Sequence, residues 1–102
     1  MVQLRDRAIA DVINERDRQD GLWGEQDHRP EKWTAIIGEE FGELCQAVVE
    51  TIFDNGRDRA SVGGFCNIRM EAVHVAAVAV AMIECIDRYN DLPWHTKLNQ
   101  LK

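Results

Sequence analysis

Basic residues, prolines, cysteines and aromatic rings are all scarce in this 102-residue chain, and each shortage excludes something. Twelve lysines and arginines stand against eighteen aspartates and glutamates, giving a formal charge of −6. A field of that sign repels phosphate backbones and anionic lipid heads, so nucleic acid and membrane surfaces are not expected partners. An anionic ligand would need a bound divalent cation between itself and the carboxylates. The three cysteines, Cys45, Cys66 and Cys85, are odd in number and far apart. They form no CxxC pair and have no histidine at zinc-site spacing, so they read as reduced, mostly packed thiols. Long hydrophobic runs are missing too. The longest, Ala72 to Ile83, is interrupted by His74 and falls short of the roughly 20 residues needed to cross a bilayer. Arg5, Asp6 and Arg7 break any secretory pattern at the start, and the expected location is cytoplasmic.

What is present is 45% hydrophobic and 29% charged, the balance of one globular domain over residues 1–102. A chain this short buries only about 60–70% of the surface its unfolded form exposes. A homodimer or homotetramer is therefore expected.

Periodicity predicts an all-α domain. Val2, Ile9, Val12 and Ile13 share one sector at 3.6 residues per turn, giving an amphipathic first helix over about 3–19, with Arg5 and Arg16 on the same stripe. Asp20 to Pro30 carries two glycines and a proline and reads as a loop anchored by Trp23. Glu31 to Phe53 is the second helix, stopped by Asp54, Asn55 and Gly56, with a polar connection over 57–66. The third, from Asn67 to about Tyr89, is apolar nearly all round and belongs at the centre of a bundle. Pro93 opens a short last helix, Trp94 to Leu101. Trp23, Trp33 and Trp94 read as packing anchors, with base stacking as the alternative.

Carboxylates on apolar faces carry the chemistry. Glu40 lies mid-stripe among Trp33, Ile36, Ile37, Leu44 and Ala47, and Glu43 borders the same face, while Glu39 and Glu50 turn toward solvent. On the third helix Glu71 shares its direction with Val75, Val78, Met82 and Cys85, and His74 is one step aside. Glu84 and Asp87 point away with Arg69 and Arg88, as an outer salt-bridged face. An ionised carboxylate buried without a partner is costly by several kcal/mol, so these must meet a cation, a metal or a hydrogen-bond network. In an antiparallel hairpin turning near residue 60, Glu43 comes level with about residue 77, and Glu40, Glu43, Glu71 and His74 converge. Clustered carboxylate oxygens suit Mg²⁺ or Mn²⁺.

At these residues the chain resembles the MazG-like family of all-α nucleoside triphosphate pyrophosphohydrolases. The family pattern is ExxE on one helix and ExxD on the next. Here Glu40-Phe-Gly-Glu43 is followed by 27 residues and then Glu71-Ala-Val-His74. The flanks ERDRQDGLWGEQDH and MEAVHVAAVAVAMIECIDR extend the likeness over about residues 10–90, toward a small subgroup common in phages and mobile elements.

The resemblance implies three main helices and a short fourth, completed to a four-helix bundle by oligomerisation. It implies that Glu40, Glu43 and Glu71 ligate Mg²⁺, with Glu39 as a further or outer ligand and His74 at the aspartate position. Imidazole suits manganese, zinc or nickel better than magnesium. The implied reaction is attack of water on the α–β anhydride of a nucleoside triphosphate, with Glu39 or Glu43 accepting the proton.

Arg16, Gln19, Lys32 and, for the base, Trp23 and His28 are the candidate substrate contacts. Arg16 reads equally as the buried partner of a carboxylate such as Glu40. Two other functions stay open on the residues alone: a catalytically silent relative that binds a nucleotide or a protein, and a purely structural helical oligomer.

Overall fold

Gly24, not Gly21, ends the first helix. Its φ of 71° lies in the left-handed region, which suits glycine at a helix stop, and its N–H closes the last turn on the Asp20 carbonyl at 2.8 Å. The expected loop over 20–30 therefore loses Asp20 to Trp23 to the helix. No proline intervenes before Pro30, and the Arg16–Asp20 pair, one turn apart at 3.0 Å, supports the added turn. Pro30 then occupies the first turn of the next helix, where its missing N–H is no loss.

The computed structural model describes residues 2–53 and 64–101, and its elements are α1 (Leu4–Trp23), α2 (Pro30–Ile52), α3 (Gly64–Arg88) and α4 (Trp94–Gln100). The expected all-α class holds, with no strand among the described residues. The helix stop at 54–56 lies outside the described residues. Of the expected connection over 57–66, residues 64–66 belong to α3 and the rest is likewise outside.

α3 is the central helix. α1 and α2 both pack on it and not on each other. Thr51 near the end of α2 donates a hydrogen bond to the Gly64 carbonyl at the start of α3, whereas Trp33 near the start of α2 packs with Cys85, so the two helices run antiparallel. In this register Glu43 is no farther along the hairpin from Glu71 and His74 than Glu40 is, but Glu43 is turned to solvent, so Glu40 alone of the two joins them. The core is small: Trp33, Val78 and Cys85, flanked by Ile36, Ile37, Ala81, Met82, Tyr89 and Leu101.

Several burial expectations are overturned. Ile9 and Ile13 are exposed, while Glu15, Arg16 and Gln19 of α1 turn toward α3. The reason lies on α3, which offers α1 the polar groups Arg69, His74 and Glu84 to pair with. Only Cys85 is a packed thiol, since Cys45 and Cys66 are exposed. Trp33 is the buried tryptophan, whereas Trp23 and Trp94 are exposed. The 24–29 loop is anchored instead by α3: Arg88 donates to the Asp27 carboxylate and the Gln26 carbonyl, and the Tyr89 hydroxyl donates to Asp27.

Candidate metal centre and adjoining cavity

Glu40 reaches α3 because it lies two turns after Trp33, and that buried ring fixes the same face of α2 on the core. Glu71 and His74 are one turn apart on α3. One ligand atom from each of Glu40, Glu71 and His74 lies within 4.8 Å of the other two. His74 Nδ1 is 3.5 Å from Glu71 Oε2, and its Nε2 is 3.7 Å from Glu15 Oε2 on α1. The ring thus stands between two carboxylates. Glu40 Oε2 and Glu71 Oε2 are both buried, and no group among the described residues donates a hydrogen bond to either. Leaving a buried acceptor unmade costs about 1–3 kcal/mol, and more when it is charged. Burial pushes the Glu40 carboxyl above its ordinary range, and the Glu43 and Glu71 carboxylates push the same way against the pull of His74.

These donors fit a divalent cation on two grounds: the orphaned oxygens need a positive partner, and carboxylate oxygen with imidazole nitrogen is a metal-binding set. Glu43 influences Glu40 but is itself exposed and outside the trio. Glu39 is also exposed.

Beside the trio is a cavity of about 350 Å³. α3 forms its floor through Val78, Ala81 and Glu84, α1 and α2 form its walls, and residues 24–26 close one end. Glu40 and His74 open onto it, as do the candidate contacts Arg16, Gln19 and Trp23, whereas Lys32 is exposed and off the lining. His28 also lies off the lining and packs edge-on against Trp33, 4.8 Å between ring centres.

Arg16 is not the partner of Glu40. It grips Glu84 with two hydrogen bonds, of 3.0 and 2.9 Å, and reaches Asp20 at 3.0 Å. These bonds hold the Glu84 carboxyl below the usual carboxylate range. Glu84 therefore faces α1 and the cavity, not an outer face. Arg69 and Arg88 do make salt bridges, but with Asp11 on α1 and Asp27 in the loop, neither with Glu84 nor with Asp87.

The chain matches no protein family, no curated protein and no solved structure.

Five carboxylates, of Glu15, Asp20, Glu25, Glu40 and Glu84, face three guanidinium groups around the cavity, those of Arg16, Arg18 and Arg88. Each of these arginines is already paired with a carboxylate. The cavity is thus electronegative and accepts an anion only together with added positive charge.

Sequence reasoning missed Glu15 and Glu84. Glu15 falls on the same α1 face as Val12, Arg16 and Gln19, a stripe that becomes legible once Arg16 rather than Ile13 is taken as its centre. Glu84 carried no such signal. Its direction away from Glu71 suggested solvent, yet that side of α3 is the side α1 covers.

Proposed function

We propose that this chain is a divalent-metal-dependent hydrolase of the MazG-like type, converting a nucleoside or deoxynucleoside triphosphate to the monophosphate and pyrophosphate. One observation carries the reading: two buried carboxylate oxygens, on Glu40 and Glu71, that receive no hydrogen bond from the described residues, beside His74 at the edge of a ligand-sized cavity. Glu40, Glu71 and His74 would hold the ion, Mg²⁺ or Mn²⁺, with Glu43 a turn away on α2. When bound, the ion supplies positive charge for the phosphate oxygens and acidifies water for attack on the α–β anhydride.

The chain's own groups do the rest. Glu43, exposed and next to Glu40, is free to take the proton that water loses. Arg16 offers a planar, bidentate donor to phosphate on exchanging Glu84 or Asp20 for it. Trp23 at the cavity rim presents an apolar ring to a base. A homodimer or homotetramer completing a four-helix bundle fits the apolar side chains left uncovered on three helices, including Ile9 and Ile13, Phe41 and Ile52, and Ile83 and Ile86.

The test is incubation with a panel of nucleoside and deoxynucleoside triphosphates plus Mg²⁺ or Mn²⁺, reading pyrophosphate. Release is expected from at least one substrate, with a loss of about 100-fold or more in Glu40→Ala and Glu71→Ala, both still helical by circular dichroism. Nucleotide binding without pyrophosphate in all conditions would replace this function with that of a binding protein. No binding of either nucleotide or ion would leave the structural-oligomer reading.

A further inference from the structure

The imidazole of His74 has a carboxylate at each edge, and the second is the informative one. Its Nδ1 edge faces Glu71, 3.5 Å away, within the trio whose atoms lie inside 4.8 Å of one another. Its Nε2 edge faces Glu15 of α1 at 3.7 Å, and the Glu15 side chain is only 10% exposed. A neutral imidazole has one nitrogen that donates and one that accepts. Both edges face a carboxylate, but an ion held by Glu40 and Glu71 needs the lone pair on Nδ1, and that leaves the Nε2 proton facing Glu15. Glu15 is itself fixed by Arg18, which donates to both its oxygens at 2.7 and 2.8 Å, and by Gln19 at 3.2 Å. The carboxylate is therefore pre-set before the ring meets it, in the relation by which outer carboxylates orient metal-ligating histidines.

We infer that this centre takes a first-row transition ion such as Mn²⁺ in preference to Mg²⁺, through His74 Nδ1, with Glu15 as the positioning residue that sets the ring's tautomer and aim. The inference rests on the metal-centre reading above and adds to it the donor atom, the ion class and a residue from a third helix. Oxygen-only sites do not separate these ions strongly, because both are hard enough for carboxylates, whereas a nitrogen ligand favours the transition ion. Glu40 and Glu71 supply the oxygen donors, each with a buried oxygen that no hydrogen bond from the described residues reaches. Glu15 acts only through the ring, so its removal affects the nitrogen-taking ion more than the other.

Titration of the full chain with Mn²⁺, followed by loss of the free-ion paramagnetic resonance signal and by displacement with Mg²⁺, gives the ratio of the two affinities. The expected ratio favours Mn²⁺ by about tenfold or more. The bound Mn²⁺ should show spin-echo modulation from one coordinated nitrogen, lost in His74→Asp together with most of the preference. Glu15→Ala should lower the ratio by about tenfold, while Glu15→Gln, whose amide oxygen still accepts from Nε2, retains most of it. Taking the ratio removes the loss of charge common to both ions. Bound Mn²⁺ without nitrogen modulation, or a ratio unchanged in His74→Asp and Glu15→Ala, would overturn the inference and leave the metal centre standing. Failure of both ions to bind would sink the metal centre itself. If Glu15→Ala does not fold, the Glu15→Gln and His74→Asp pair decides alone.

Discussion

Glu40 in the metal-free protein sits against its own interest. Burial and the neighbouring Glu43 and Glu71 raise its pKa above the usual carboxylate value of 4.5, with only His74 opposing. A raised folded-state pKa contributes stability that is full below the unfolded value and is lost as pH rises through the folded one. At neutral pH, then, the ionised Glu40 destabilises the metal-free fold. Glu40→Gln is expected to raise the melting temperature by a few degrees at pH 7 in chelator, on the order of 1 kcal/mol for a domain of this size. The two proteins should converge below the ordinary carboxylate range, where Glu40 is protonated. Added Mn²⁺ should then stabilise the parent and not the variant, a crossing that thermal scans read directly.

Among the elements, α1 is the one held by polar pairs rather than by apolar packing. Its large apolar side chains are exposed, and its ties to α3 are Asp11–Arg69, Glu15–His74 and Arg16–Glu84. Partly exposed pairs are individually weak, so α1 should open before α2 and α3 do. Native-state hydrogen exchange is the measure: amides of α1 exchange fastest of the three long helices. Arg16→Ala, which strips Glu84 and Asp20 of their partner, should speed exchange in the second half of α1 by a further tenfold or so, about 1.4 kcal/mol. Glu84→Gln should give a smaller effect, since Asp20 still holds Arg16. Equal protection across α1, α2 and α3 would show that something beyond the chain itself covers α1.

For the whole molecule, the uncovered apolar surface is the main demand left unmet. The buried hydrophobic residues are Trp33, Ala47, Ala77, Val78 and Cys85, whereas Phe41, Ile52, Phe65, Ile83 and Ile86 of α2 and α3 are exposed. On α3, Phe65, Ile83 and Ile86 fall on one side, and the small residues Ala72, Ala76 and Ala79 continue that stripe. Small side chains let a second helix approach closely, and a self-complementary patch favours a two-fold pair. Light scattering after gel filtration should give a dimer or tetramer, and Ile83→Glu should shift it to monomer with reduced thermal stability. A monomeric parent at micromolar concentration would remove the oligomer from the proposal while leaving the metal test unaffected.

Four helices are legible in the residues alone, because 3.6-residue periodicity and the position of Pro30 are local signals that tertiary contacts do not reverse. The sequence by itself also determined that Glu40 and Glu71 would be anomalous, since a carboxylate in the middle of an apolar stripe is visible on one helix alone. The end of α1 was misjudged by one turn, as Gly21 and Gly24 look alike until the backbone adopts a positive φ at only the second. What the tertiary structure decided is facing and company. The face of α2 that packs on α3 brought Glu40 rather than Glu43 to His74, and the placement of α1 on α3 turned Glu15 and Glu84 inward. Those outcomes depend on which face of one helix meets which face of another, and no periodicity within a single segment records that.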